Sequence, residues 1–214
     1  MVRYRVGGLL LLLALTYLLG EAWAVAGWQG RSYSWGADAI SALGAREATA
    51  DGATSTRHTV MNATFVVSGA RVVLAGLVLA PFVPRRGRWA VLGLVLAHGV
   101  GVLVVGLFPA DGASLRIDMH GVGAALAIVG GALLLAALTV SFVHTPLLAG
   151  ATAVFAVLAA AGCAMLLLGV GGFGLAERLA VDAVIGWQVL AGLLVLVTRP
   201  PAGEGSGSVL DGQG

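Results

Sequence analysis

Residues 120–143 read HGVGAALAIVGGALLLAALTVSFV and carry no charged side chain after the histidine. Because an α-helix rises about 1.5 Å per residue, a helix of this length matches the roughly 30 Å hydrocarbon core of a bilayer. A strand of a globular protein rarely exceeds about ten residues, and a helix on the surface of a soluble protein would show one polar face. This segment therefore predicts a transmembrane helix.

Five more apolar segments of similar length occur along the 214-residue chain. The six predicted spans cover residues 6–27, 59–83, 89–108, 120–143, 147–170 and 179–197. Hydrophobic residues make up 59% of the chain and charged residues 10%, whereas a soluble domain has about 25% charged residues. We predict an all-α polytopic membrane helix bundle with six transmembrane helices. The composition excludes a soluble enzyme, a nucleic-acid-binding domain and a disordered protein.

The predicted spans form a single membrane domain, residues 1–198. Residues 199–214 are rich in Gly, Ser and Pro, which predicts a disordered cytoplasmic tail. The first span also has an alternative interpretation, because its arginines, its apolar run and the small residues Ala22, Ala24 and Ala26 fit a cleaved signal peptide. Cleavage would leave five spans, but the run is long enough to cross the membrane uncleaved.

Arginine placement predicts the orientation, because short cytoplasmic loops are enriched in Lys and Arg. One side of the membrane has six arginines against two acids, and the other has five arginines against six acids. The first side carries Arg3, Arg5, Arg85, Arg86, Arg88 and Arg199 with Glu204 and Asp211; the second carries Arg31, Arg46, Arg57, Arg116 and Arg178 with Asp38, Glu47, Asp51, Asp111, Asp118 and Glu177. Both termini are therefore expected in the cytoplasm.

Polar side chains in or beside the predicted spans are the candidate functional residues. An ionisable side chain inside a span costs roughly 2.5–3.5 kcal/mol on insertion scales, and such groups usually face the bundle interior or a wet cavity. Near the outer ends, an outward-facing polar pocket is predicted from Glu21, Asn62, Asp111, His120, Glu177, Arg178 and Asp182, with Asp111, Glu177 and Arg178 on the short outer loops. Near the mid-plane lie Arg71, His98 and Gln188.

Each of these polar residues also has a purely structural interpretation. An arginine at mid-span needs a partner, and Arg71 could reach Glu21 or Asp182 with its long side chain. Its role would then be a structural ion pair, or else a contact with an anion or lipid headgroup. Glu21 and Asp182 could be paired in the same way, and His98 is expected to form an interhelical hydrogen bond rather than to relay protons.

Two stripes of small residues predict close helix packing, because small side chains allow helix backbones to approach in a membrane. They are Gly93, Ala97 and Gly101 on the third span and Gly123, Ala127 and Gly131 on the fourth. We expect the two stripes to face each other or another span.

The long outer loop contains a second helical pattern. Trp35, Ala39, Ile40 and Leu43 recur at roughly helical spacing, and Gly44 is a typical stop. This pattern predicts a short interfacial helix that covers the outer mouth, with an ordinary ordered loop as the alternative.

Motifs for metal, cofactor or nucleophilic chemistry are missing from the sequence. The four histidines show no paired spacing such as HExxH. The single cysteine, Cys163, lies in an apolar run and excludes an intrachain disulfide. We therefore predict neither a metal nor a cofactor, and whether the protein is an enzyme stays open.

Several short motifs occur in an order that is known from one family. They are Ile40-Ser41 with Leu43-Gly44, Met61-Asn62, Gly106-Leu107-Phe108-Pro109 with Asp111, His120-Gly121, and Gly174-Leu175-Ala176-Glu177-Arg178-Leu179. Over nearly all of its length except the tail, the chain resembles the domain of unknown function 998 family of prokaryotic multi-pass integral membrane proteins. It departs from the family pattern at Ala42, where the family usually has an acid. The resemblance implies a six-span membrane protein with these residues on the outer side, and it implies no reaction.

These observations favour a membrane protein that binds a lipid, an isoprenoid or another small amphipathic ligand in the outward-facing pocket. The alternatives are an outer-leaflet enzyme in which Asp182 or Glu21 acts with His120 as an acid–base pair, a non-catalytic partner subunit of a membrane complex, and a small transporter. The expected partners are membrane lipids, a lipid-like ligand and other subunits in a homo- or hetero-oligomer, and not nucleic acid. The expected location is the prokaryotic inner, or plasma, membrane.

Overall fold

The computed structural model describes residues 1–111 and 118–199. Arg116 and nearly all of the predicted tail, residues 200–214, lie outside this part of the chain. The described helices are α1 (Val2–Leu12), α2 (Leu15–Val25), α3 (His58–Leu79), α4 (Arg88–Leu107), α5 (Met119–Ser141), α6 (Pro146–Leu168) and α7 (Phe173–Val197). Within the described residues, six segments are long and apolar enough to cross a membrane, with α1 and α2 together forming the first. The prediction of an all-α bundle with six membrane-spanning helices is confirmed.

The spans form a closed ring. Each span contacts the next one along the chain, and α1 contacts both α3 and α7, so the last span returns to the first. Helix α5 also reaches across the ring to α7. The helices that meet at the centre therefore come from distant parts of the sequence.

Close backbone approach between α4 and α5 explains the small residues at this contact. A Cβ atom on Gly101 would lie 2.8 Å from the Gly123 carbonyl oxygen and would also strike the backbone nitrogen of Ala127. The expectation that the two stripes face each other is thus correct at Gly101 and Gly123. It is wrong at Gly93, where no described atom outside the adjoining backbone of α4 lies within 4 Å of the place that a Cβ would occupy.

The connection between α2 and α3 covers one end of the ring, which we call the loop end. Its base is a two-stranded antiparallel ribbon of β1 (Trp28–Gln29) and β2 (Thr54–Ser55). The Ser55 hydroxyl donates to the Ala24 carbonyl at 2.8 Å, which fixes the ribbon to the end of α2. The end of α4, the start of α5 and the α6–α7 connection lie at this same end, since successive spans alternate in direction.

The predicted interfacial helix over residues 35–43 is wrong in length and position. Only a 3₁₀ turn forms, at Ser41–Gly44. Ile40 is 1% exposed and Leu43 is 0% exposed, and both pack in one core cluster with Met61 and Phe65 of α3. Ile40 and Leu43 are therefore buried in the bundle instead of lying against the membrane surface, whereas Trp35 is 50% exposed.

The first span is interrupted between α1 and α2. At this break the Ala14 N–H donates to the Leu11 carbonyl at 2.9 Å, a 3₁₀-type bond that replaces the α-helical bond to Leu10. The Leu10 carbonyl is left without its helical donor. In a membrane such a group must find another partner within the protein.

Candidate functional site

Helix α7 begins at Phe173, well before the predicted start at residue 179. Glu177 and Arg178 therefore lie in this helix and are each 8% exposed, which corrects their placement on a short outer loop. The helix can begin early because the loop satisfies its first N–H groups. Gly174 N–H donates to the Ala37 carbonyl at 3.3 Å, and Leu175 N–H donates to the Gly36 carbonyl at 2.9 Å.

Arg178 joins α7 to α2 and to the loop. Its guanidinium forms an ion pair with Glu21 of α2 at 2.7 Å and donates to the Tyr33 hydroxyl at 2.5 Å. The same group donates to the backbone carbonyls of Trp35 at 2.8 Å and Asp38 at 3.0 Å. It also lies 4.8 Å from the centre of the Trp35 ring, in the range of a cation–π contact. The terminal nitrogens of Arg178 are thus fully engaged within the protein.

Glu177 holds the 3₁₀ turn from the neighbouring position on α7. Its Oε2 accepts a hydrogen bond from the Ile40 N–H at 2.6 Å, and its carboxylate also accepts from the Ser41 backbone. These are N–H groups at the start of the turn, which otherwise have no partner within it. Glu177 therefore acts as a carboxylate cap that is supplied by a distant helix.

A cavity of about 50 Å³ lies between α4, α5 and α7 at the loop end; we call it the inner cavity. Most of its lining is apolar, from residues such as Phe65, Val102 and Val181. The polar side chains that line it are Tyr17, Ser41, His98, His120 and Glu177. Because one water needs about 10–15 Å³ by this kind of measure, the cavity has room for a few waters or for a narrow apolar group.

Three side chains of the cluster around Tyr17 have a buried polar atom without a described hydrogen-bond partner. Tyr17 is 3% exposed, and its hydroxyl, the Arg178 Nε atom and the Asp182 Oδ1 atom meet no donor or acceptor among the described residues. The Tyr17 hydroxyl is within electrostatic range of Glu21, Glu177 and Asp182. Since buried polar groups are nearly always hydrogen-bonded, these atoms mark a place where a water or a ligand completes the structure.

The two cavity histidines have one ring nitrogen committed to a backbone carbonyl. His98 Nδ1 lies 2.7 Å from the Ala127 carbonyl oxygen, and His120 Nδ1 lies 2.9 Å from that of Phe108. A carbonyl only accepts, so Nδ1 donates in both rings and Nε2 of the neutral ring is an acceptor. His98 thus forms the interhelical hydrogen bond expected of it and also lines the cavity.

A second and larger cavity, of about 270 Å³, lies between the loop and the start of the α4–α5 connection. It is lined by Ser41, Ala42, Ala45, Glu47, Ala48, Thr49 and Ala110. Ser41 also lines the inner cavity. The 3₁₀ turn therefore separates the inner cavity from this outer one, which we call the vestibule.

The predicted pocket residues divide into three groups in the structure. His120 and Glu177 line the inner cavity, whereas Glu21, Arg178 and Asp182 lie beside it around Tyr17. Asn62 and Asp111 lie elsewhere: Asn62 donates to the Gly44 carbonyl at 2.9 Å, and Asp111 pairs with Arg46 at 2.5 Å.

Sequence reasoning misses three polar residues of the cavity. Ser41 and Tyr17 are not among its pocket candidates, and it places His98 apart from them at mid-span. A signal exists for Tyr17, because it lies one helical turn from Glu21 and so shares its face. No local pattern marks Ser41, whose position depends on the cap from Glu177.

Arg71 does not form the predicted ion pair with Glu21 or Asp182. It donates to the freed Leu10 carbonyl at 2.8 Å and to the Gln188 side-chain oxygen at 2.6 Å. The break in the first span supplies an acceptor at the depth of Arg71, so the guanidinium does not extend to the acids at the loop end. Arg71 and Gln188 thus form a structural cluster that links α3, α1 and α7, and neither residue lines the cavity.

The family model described as "Protein of unknown function (DUF998)" matches residues 7–194. The chain belongs to the DUF998 family. The resemblance drawn from the short motifs is therefore confirmed, together with the assignment as a multi-pass membrane protein of unknown function. Searches of curated proteins and of solved structures gave no match for this DUF998 protein.

The α2–α3 loop of the DUF998 protein is held by an ion-pair network that predicts a pH response. Hydrogen bonds from Arg31 lower the pKa of Asp38, and those from the Thr49 hydroxyl and Arg31 lower the pKa of Asp51 to about 2. A carboxylate with a lowered pKa stabilises the fold above its ordinary pKa of 3.8, and this contribution is lost as the pH falls towards about 2. We expect the loop to loosen in that window, as a change in tryptophan fluorescence.

The matched control is the double variant Asp38→Asn/Asp51→Asn, which removes both titrating groups. Its fluorescence is expected to change much less than that of the parent between pH 3.8 and about 2. Identical transitions in the two proteins would contradict the assignment of the pH response to this network.

Proposed function

We propose that this integral membrane protein binds a lipid or another small amphipathic ligand in the inner cavity, without a chemical reaction. The supporting observation is an apolar cavity with a polar set of side chains where it meets the loop end. An apolar chain would occupy the space beside Phe65, Val102 and Val181. The polar end would lie near Tyr17, His120 and Glu177.

The size of the cavity limits the ligand. Pockets that enclose drug-sized molecules usually measure about 300–1,000 Å³, and this cavity measures about 50 Å³. It suits a small polar group with the first few carbons of one acyl or isoprenoid chain rather than a nucleotide or a ring system, and the rest of that chain would lie outside the cavity. We therefore propose a ligand whose inserted part is narrow and unbranched or singly branched.

The vestibule supports a route to this cavity from the loop end. The two cavities meet at Ser41, and the arginine distribution favours a loop end outside the cytoplasm. We propose that the ligand enters from the outer leaflet or outer surface of a prokaryotic plasma membrane.

Binding is favoured over acid–base catalysis by the partners of the candidate groups. An acid–base pair would need His120 within hydrogen-bond reach of Glu21 or Asp182. In the described part of the chain, the His120 Nδ1 contact is with the Phe108 carbonyl, the Glu21 carboxylate is paired with Arg178, and the Asp182 Oδ1 atom has no hydrogen bond to His120. This pairing leaves binding as the role that the geometry supports best.

Filling the cavity provides the test. Ala124 lines the cavity, whereas its neighbour Ala125 is exposed on the outer surface of α5. Native mass spectrometry of the full chain released in mild detergent is expected to show a co-purifying lipid adduct in the parent. Ala124→Leu should lose most of this adduct because its side chain occupies the same space, and Ala125→Leu should retain it.

A parent protein without any adduct would overturn the proposal, and so would an adduct that both variants retain equally. The polar residues would then be interhelical hydrogen-bonding groups, as in the partner-subunit alternative. His120→Ala serves as a second variant, because it removes a polar side chain at the mouth without adding volume. It is expected to weaken the adduct less than Ala124→Leu does.

A further inference from the structure

The free polar atoms of the inner cavity are mainly hydrogen-bond acceptors. Glu177 contributes a carboxylate, which has about four acceptor positions and receives two described backbone hydrogen bonds. His98 and His120 each donate through Nδ1 to a carbonyl, so Nε2 of the neutral ring is an acceptor. A ligand group that satisfies these atoms must donate.

The charges around the cavity disfavour an anionic ligand. Glu21, Glu177 and Asp182 lie within electrostatic range of the Tyr17 hydroxyl, as does the cation Arg178. The terminal nitrogens of Arg178 already donate hydrogen bonds to Glu21, Tyr33 and three backbone carbonyls. The chain contains no lysine, and no arginine lines the cavity in the described ranges. The Nε atom of Arg178 has no described partner, but Arg178 does not line the cavity. A phosphate or carboxylate in the cavity would thus meet Glu177 without a guanidinium in the lining.

The Tyr17 hydroxyl is an independent indication of a ligand at this place. The Tyr17 side chain lines the cavity and is almost fully buried, yet its hydroxyl has no partner among the described residues. A hydroxyl both donates and accepts, so it can pair with an alcohol or accept from an ammonium. The acid-rich surroundings and this unpaired group point to the same ligand chemistry.

We propose that the polar end of the ligand is a hydrogen-bond donor without negative charge, a hydroxyl or an ammonium group, on a single narrow hydrocarbon chain. This inference rests on the proposed binding in the inner cavity and specifies its ligand class. Long-chain alcohols and long-chain amines share this chemistry, whereas fatty acids and alkyl phosphates lack it.

A series of probes with one chain length tests the inference. Hexadecanol, hexadecylamine, palmitate and hexadecyl phosphate are added in equal amounts to the full chain in mild detergent, and the adducts are measured by native mass spectrometry. The alcohol or the amine is expected to exceed both anions by at least about tenfold, because a hydrogen bond to a charged group changes affinity on this scale.

Two conservative variants test which residue binds the alcohol and which residue binds the amine. Tyr17→Phe removes a hydroxyl that has no described partner, so folding should be unchanged while alcohol binding falls about fivefold to tenfold. Glu177→Gln keeps an acceptor for the Ile40 N–H but removes the charge, and it should weaken amine binding by about tenfold. Arg85→Gln, an exposed change in the α3–α4 connection at the opposite end of the bundle, is the control and should alter neither.

The outcomes distinguish the inference from the proposed function. Binding that favours the anions, or that ignores the headgroup, would overturn the inference while leaving chain binding intact, provided that Ala124→Leu still abolishes it. Failure of all four probes to bind, or binding that Ala124→Leu leaves unchanged, would overturn the proposed function itself. Unaltered alcohol and amine binding in both Tyr17→Phe and Glu177→Gln would overturn the assigned polar contacts.

Discussion

Replacing Arg178 by methionine is expected to lower the free energy of unfolding by about 3–5 kcal/mol, the usual cost of removing one partner of a buried ion pair. The change would leave the buried Glu21 carboxylate without its described partner. It would also remove the donor from the carbonyls of Trp35 and Asp38. Unfolding of the full chain in mild detergent, followed by circular dichroism, measures the effect.

Two other variants make this prediction specific. Arg46→Met breaks an ion pair whose arginine side chain is 65% exposed, and we expect a loss of about 0–1 kcal/mol, as for other surface pairs. Glu21→Gln should cost less than Arg178→Met, because Arg178 would keep Tyr33 and its backbone acceptors. If Arg178→Met lowered the free energy of unfolding no more than Arg46→Met does, the contacts of Arg178 with Glu21 and Tyr33 would not be what joins the loop to α2 and α7.

Replacing Gly101 by valine is the second change with a large expected effect. The new Cβ would collide with the Ala127 backbone nitrogen and lie 2.8 Å from the Gly123 carbonyl oxygen. Backbone atoms cannot rotate away as a side chain can, so α4 and α5 would have to separate. We expect a loss of about 3 kcal/mol or more, at the upper end of the usual cost of overpacking, measured in the same unfolding experiment.

Gly93→Val on the same helix is the matched control. It introduces the same β-branched residue into α4, but no described atom outside the adjoining backbone of α4 lies within 4 Å of its Cβ position. The variant should therefore change stability by only a few tenths of a kcal/mol, the size of the difference in helix propensity. Equal losses at the two positions would show that helix propensity, and not the contact with α5, determines the effect.

The number of spans can be predicted from the sequence because it depends on segment length and polarity alone. The span predicted over residues 120–143 forms α5, Met119–Ser141, with ends that differ by only one or two residues. The bilayer imposes the same length on each segment, whatever its neighbours are. Close packing between helices can also be predicted from the sequence, because the small residues Gly101 and Gly123 permit an approach of two helices that larger residues forbid.

The start of α7 cannot be predicted in this way. Glu177 and Arg178 look like loop residues because hydropathy treats each charge as exposed to water. In the structure both are buried, since Glu21, Tyr33 and the loop backbone supply their partners. These contacts join residues more than a hundred positions apart, and no local pattern encodes them.

The candidate pocket is predictable only in part. The depth of His120 and Glu177 along their spans suffices to predict that they lie close together, and both line the same cavity. Depth alone does not specify which face of a helix a residue occupies or which path the loop follows. Asn62 has the right depth, yet its amide donates to the Gly44 carbonyl in the loop. The position of Ser41 between two cavities follows from the fold of that loop alone.

The break between α1 and α2 has a consequence for biosynthesis. The sequence at this point, Leu12-Leu13-Ala14-Leu15, contains neither proline nor glycine, and the open Leu10 carbonyl receives its donor from Arg71 in the second span. Because a chain is made from its N-terminus, the first hydrophobic segment emerges from the ribosome before this donor exists. Gln188, the acceptor that completes the arrangement, is in α7 and is translated more than a hundred residues after Arg71. Insertion of the first two described spans as a hairpin would protect the open carbonyl, and translation would have to pass α7 before Arg71 gains all of its partners.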